Sequence, residues 1–110
     1  MRRVREFIRR HACEPGLSID AIAAEMNCSR TLATSRFRKE TGRSILDEIH
    51  EIRLQKMREL LSSSTLPIAM VVERSGYESD GYAKRFFLKR TGMTMREYRR
   101  QSAKEGKREA

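Results

Sequence analysis

The apolar positions of this chain recur at helical rather than strand spacing. Val4, Phe7, Ile8 and Ala12 fall on one face of "RRVREFIRRHA", and Glu14-Pro15-Gly16 ends the pattern. Ile45, Leu46, Ile49, Ile52, Met57, Leu60 and Leu61 form a stripe through "SILDEIHEIRLQKMRELLSSST", with Leu54 toward its edge. Ser44 and Asp47 resemble a capping box at its start, and the hydroxyl run 62–65 marks its end. These signals predict one connecting helix of about 18 residues, roughly 27 Å long at 1.5 Å per residue, able to serve as a spacer. "TMREYRR" opens with a capping box, Thr94 to Glu97, and turns Met95 and Tyr98 inward.

The pattern on either side of the connector is the same pattern twice. "LSIDAIAAEMNCSRTLATSRFRKETG" begins at Leu17 and "LPIAMVVERSGYESDGYAKRFFLKRTG" at Leu66, an offset of 66 − 17 = 49. Further along, Phe37, Thr41 and Gly42 fall on Phe87, Thr91 and Gly92, an offset of 87 − 37 = 50, so the second copy carries one extra residue near its turn. Each copy reads as a short helix, a tight turn and a longer helix. Ser18 caps a helix to about Met26, Asn27-Cys28 turn the chain, and Ser29 caps a helix that Gly42 stops. In the second copy Pro67 sits in the first turn, Gly76 permits the reversal and Gly92 ends the second helix. Gly81 lies inside that helix, where it costs about 1 kcal/mol relative to Ala, which either packing or close approach of a ligand backbone would justify.

With the two flanking helices, the pattern predicts an all-α chain of two helix-turn-helix lobes, 1–43 and 65–101, joined by a connecting helix over 44–64. Residues 102–110 are charged, lack large apolar side chains and are expected to be disordered. The 110 residues suit one small domain or two very small lobes and exclude a large enzyme core. Lys and Arg outnumber Asp and Glu by 24 to 15, a net charge of +9, which points to a polyanionic partner. Membrane-spanning segments are excluded by the short apolar runs, and charges at Glu6, Arg9 and Arg10 interrupt any leader. Cys13 and Cys28 read as reduced thiols of a soluble cytoplasmic protein, Cys28 as a small core residue. With only His11 and His50 beside them, no metal site, cofactor site or catalytic set is expected.

Helix, tight turn, helix is the unit that sets its second helix in the DNA major groove, and two copies on one connector suggest two grooves. The residues also carry a family resemblance. Ile68, Val72, Gly76, Tyr77, Tyr82, Phe87, Gly92, Thr94, Tyr98 and Arg99, with the first copy before them, resemble the DNA-binding domain of the AraC/XylS transcription regulators over Val4 to Arg100. "SRFRKETGRSI" is also similar to the subgroup that contains xylose-operon activators. The resemblance implies a seven-helix domain over 1–101 with homeodomain-like three-helix lobes, and a bacterial, cytoplasmic activator that touches RNA polymerase. It further implies an inducer-binding domain absent from this segment, so that the chain reads either as a stand-alone regulator or as the C-terminal fragment of a longer one.

By position, the resemblance puts Arg30, Thr31, Thr34 and Ser35 of the first copy, and Ser79, Asp80, Gly81, Lys84 and Arg85 of the second, against bases. Arg85 or Lys84 suits guanine O6 and N7, and Thr31 or Thr34 a base edge or thymine methyl. Asp80 accepts from cytosine N4 or caps the helix with Ser79. Arg36, Arg38, Lys39, Lys89 and Arg90 suit phosphates, as do the free N–H groups near Ser44 and Thr94. Ala33 and Phe37 in the first helix, and Tyr82, Phe86 and Phe87 in the second, take the apolar side. Arg36 stands where the family is usually apolar and Ala33 is small where a leucine is common, which predicts looser packing of the first lobe, and Met95 replaces a usual proline. Two other classes compete with the regulator reading: a non-specific basic nucleic-acid binder, and a protein-docking helical module, which would show little salt-dependent DNA binding.

Overall fold

Serine side chains start the helices where the sequence places them. The Ser18 hydroxyl accepts from the Ala21 amide at 3.1 Å, Ser29 from Leu32 at 3.1 Å and Ser79 from Tyr82 at 3.3 Å. A computed structural model describes the backbone of residues 1–109 and the side chains of residues 1–105. Among these residues the chain forms seven α-helices and no strand: α1 (Arg2–His11), α2 (Ile19–Glu25), α3 (Arg30–Thr41), α4 (Ile45–Ser63), α5 (Ile68–Arg74), α6 (Asp80–Thr91) and α7 (Met95–Glu109). No described helix is long and apolar enough to cross a membrane.

The turns are repeated in detail. α2 closes with Cys28 N–H donating to the Ala23 carbonyl and Asn27 N–H to Ala24, while Tyr77 donates to Val72 and Gly76 to Glu73 after α5. Both are left-handed helix ends, with φ of 54° at Asn27 and 95° at Gly76. Asn27 and Gly76 are 76 − 27 = 49 apart, and the caps Ser29 and Ser79 are 79 − 29 = 50 apart, so the extra residue of the second copy is Glu78. α3 and α6 each end at a left-handed glycine, Gly42 and Gly92. Just before them the Thr41 hydroxyl donates to the Phe37 carbonyl and the Thr91 hydroxyl to Phe87, each accepting from the amide two residues on.

Two cores form, dividing the chain at 53/54. In the first, Ile8, Ala12, Ile22, Ala23, Ala33, Phe37, Ile45 and Ile49 are buried. In the second, Leu54, Met57, Leu61, Val71, Val72, Tyr77, Ala83, Phe87 and Met95 are buried. The connecting helix is therefore more than a spacer, since α4 contributes its first half to one core and its second half to the other. Leu54, expected at the edge of the stripe, is 2% exposed, and Leu46, expected within it, is 52% exposed. Leu54 follows Ile45 by nine residues, two and a half turns at 3.6 residues per turn, so one continuous stripe cannot hold both.

Other expectations need correction. Tyr82, assigned to the apolar side, is 46% exposed and stacks on Phe86 at 6.5 Å with the rings 8° apart. Phe86 is half-buried, and the inward side of α6 belongs to Ala83 and Phe87. Ala33 is fully buried and matches Ala83 at an offset of 50, so a small residue here is a feature of both lobes rather than a packing defect of the first. Cys28 is half-buried against the first core. Pro67 stands one place earlier than expected, as the N-cap of α5. The expected disordered tail is helical over 102–109, where α7 continues through Ala103, Lys104 and Glu105 and the Gln101 amide reaches the Glu105 carboxylate at 3.3 Å. Ala110 lies outside the described residues.

Candidate nucleic-acid interface

Each longer helix buries one side and presents the other. With about 100° between successive residues, Thr31, Thr34, Ser35 and Arg38 share one outward stripe of α3, opposite Ala33 and Phe37. In α6 the register-equivalent positions are Gly81, Lys84, Arg85 and Leu88, again an offset of 50. All eight residues are exposed. Arg30, Thr31, Thr34, Ser35 and Arg38 line one shallow hollow, so the structure brings the predicted base-contact residues of the first lobe together with one predicted phosphate contact. Lys39 and Lys89 stand beside their stripes, one turn on from Ser35 and Arg85.

The details assign different capacities to these groups. Thr34 donates its hydroxyl to the Arg30 carbonyl at 2.9 Å, which satisfies the donor and leaves the methyl as the group a base edge would meet. Arg30 lies 3.9 Å from the Asp20 carboxylate of α2. The pair is largely exposed, so it steers the guanidinium more than it stabilises the fold. Sequence reasoning missed Asp20, because nothing in the spacing links α2 to the cap of α3. In the second lobe Ser79 is committed to capping, and the Arg85 guanidinium lies back toward Gly81, 3.5 Å from where a Cβ would stand. That is ordinary contact distance, so packing does not require the glycine. Asp80 occupies the first turn of α6, where a carboxylate suits the helix dipole.

Two predicted phosphate residues of α3 and α6 neither lie on the stripes nor flank them as Lys39 and Lys89 do. Arg36 lines a separate hollow with Arg2, Arg3, Glu25 and Glu40, and Arg90 lies over the Phe86 ring at 5.6 Å. The caps at Ser44 and Thr94 form as expected, with Asp47 N–H donating to Ser44 Oγ at 3.0 Å and Glu97 N–H to Thr94 Oγ1 at 3.1 Å. The Thr94 hydroxyl in turn donates to the Glu97 carboxylate. What remains for an anion there is backbone N–H rather than the side chain. Leu88, 47% exposed on an otherwise polar stripe, was passed over, because an apolar residue in a helix is read as core.

Two helix-turn-helix units, each presenting the outer stripe of its second helix, define a DNA-binding domain of a transcription regulator. The family profile described as a helix-turn-helix domain matches residues 22–101. The chain belongs to this family, in its AraC type, a family of transcription regulators rather than enzymes. It is 38% identical over 93 residues to the xylose operon regulatory protein of Escherichia coli K12, covering 84% of this chain and 24% of that protein. The chain thus spans about a quarter of the length of this relative. The C-terminal domain of AraT, a response regulator from Geobacillus stearothermophilus, superposes with a TM-score of 0.86 at 33% identity, covering 91% of this chain and 83% of that one. The DNA-binding domain of AdpA, solved in complex with a target DNA, shares the fold with a TM-score of 0.84 at 24% identity, covering 91% and 89%.

Proposed function

We propose that α3 and α6 are both recognition helices and that they read successive major-groove segments, about 34 Å apart along B-DNA, of one bacterial operator. What supports this above all is the equivalence of the two stripes: the same register, the same serine cap and the same outward face, flanked by Lys39 in one and Lys89 in the other. Lys84 and Arg85 then meet guanine O6 and N7, and Thr31 and the Thr34 methyl meet base edges and thymine. Arg38, Lys39, Lys89 and the N–H groups that follow Ser44 and Thr94 hold phosphates. Similarity to the xylose operon regulatory protein supports control of a sugar-utilisation operon in the cytoplasm. An inducer-binding domain outside this segment and a contact with RNA polymerase complete that regulator.

The test compares two substitutions on one operator and on variants of it. Arg85→Ala changes the base preferred at one position, at about 1–3 kcal/mol of lost discrimination. Lys39→Ala weakens every sequence alike and lowers the slope of log K against log salt by about 1. Uniform loss in both would defeat the assignment of base reading to Arg85.

A further inference from the structure

One cavity sets apolar side chains beside cationic ones, two of which are the proposed base-reading Lys84 and Arg85. Wholly within the second unit, α6 and the start of α7 border a cavity of about 280 Å³ together with Ile68 of α5. Three apolar side chains, Ile68, Leu88 and Met95, line it beside three cationic ones, Lys84, Arg85 and Arg96, and no acidic side chain of the described residues does. A phosphate backbone has no use for the apolar part. A purely hydrophobic partner would leave three charges to be desolvated. The first lobe differs chiefly in charge: Ile68 and Met95 correspond there to Ile19 and Ile45, while Lys84, Arg85, Leu88 and Arg96 correspond to Thr34, Ser35, Arg38 and Leu46. No cationic side chain stands at the first-lobe positions equivalent to Lys84, Arg85 and Arg96.

We propose that this cavity binds a small amphipathic carboxylate, its hydrocarbon against Ile68, Leu88 and Met95 and its charge against Lys84, Arg85 and Arg96, and that it does so in competition with DNA. The size sets the class, since a cavity at the lower end of the small-molecule range of about 300–1,000 Å³ holds a medium-length chain or a single substituted ring. Competition rests on the proposed reading that Lys84 and Arg85 face bases. A carboxylate held by these two side chains withdraws them from the groove, so the ligand weakens operator binding through the second lobe alone. Such a site gives the DNA-binding domain its own response to organic acids.

The probe is sodium octanoate added to the full 110-residue chain, with sodium chloride matched and 1-octanol as the uncharged counterpart. Saturable shifts of the Met95, Leu88 and Ile68 methyl signals are expected, with first-core methyls such as Ile8 and Ile22 unmoved. Octanol is expected to bind about tenfold more weakly, and Arg96→Gln to weaken octanoate about tenfold, the scale of one charge-assisted contact. Octanoate at ten times its dissociation constant then lowers operator affinity about tenfold. Absent or non-saturable methyl shifts, or equal binding of octanol, would overturn the site. Saturable octanoate binding with unchanged operator affinity would overturn the competition. Lys84→Ala separates the two failures, because unchanged operator affinity in that variant faults the DNA reading and not the cavity.

Discussion

The two lobes share a backbone plan but solve the same positions with different chemistry. At an offset of 50, Glu48 of α4 corresponds to Tyr98 of α7. Glu48 is buried and lies 3.2 Å from Arg5 and 3.7 Å from Arg43, whereas Tyr98 meets Phe87 edge-on at 5.5 Å between centroids. One lobe therefore closes with an ion pair and the other with an aromatic contact. Elsewhere the solution is conserved while the residue moves. The Ala12 and Leu61 carbonyls, 61 − 12 = 49 apart, accept from the Nε of Arg53 at 2.7 Å and of Arg99 at 3.2 Å, although the two arginines are not in register. The geometry of the motif is the fixed quantity, and the side chains that enforce it are interchangeable. The same freedom lets the outer stripes differ, hydroxyl-rich in α3 and cationic with one leucine in α6.

The largest effects should come from the paired core residues. Phe37→Ala and Phe87→Ala each cost about 3–5 kcal/mol, a large part of the total for a domain stable by about 5–15 kcal/mol. Because each phenylalanine belongs to its own core, amide exchange should show Phe87→Ala releasing α5, α6 and α7 while α2 and α3 keep their protection. Uniform loss across both lobes would make the two cores one cooperative unit. A smaller effect isolates the ion pair. Glu48→Gln removes the charge opposite Arg5 and Arg43 and is expected to cost about 1–3 kcal/mol by thermal or urea unfolding, with the first lobe alone affected.

Gly81→Ala divides stability from function. With nothing nearer than 3.5 Å to the added Cβ, the substitution should stabilise α6 by about 1 kcal/mol. If α6 lies in a groove, the same methyl weakens operator binding. A stabilised protein with unchanged affinity would mean that DNA does not approach Gly81. The finest test is Thr34, where Thr34→Ser should lose about 0.8 kcal/mol, the worth of one methyl group, roughly fourfold in affinity at a thymine, while Thr34→Val keeps the contact. Loss in Thr34→Val with Thr34→Ser unchanged would assign the role to the hydroxyl.

Much of this was legible in the sequence because it depends on neighbours in the chain. Caps at Ser18, Ser29, Ser79, Ser44 and Thr94, the glycine stops and the outward stripes all follow from local spacing. What was not legible depends on partners far along the chain. Glu48 is buried because Arg5, 43 residues away, comes to it, and Leu54 is buried because α4 serves a second core. Tyr82 sits at an apolar-looking position yet remains exposed, since Ala83 and Phe87 already fill the inward side of α6. The tail was misread for a different reason: it lacks apolar residues, but α7 extends into it from an anchored start.

Selection of duplexes from a random DNA pool near physiological salt tests the central claim most directly, because non-specific attachment fades there while base contacts persist. Two enriched boxes about one helical turn apart, around 10–10.5 base pairs, are the predicted result, with a guanine in the box that Arg85→Ala alters. A single enriched box, unchanged by substitutions on one of the two stripes, would contradict the claim that both helices read sequence.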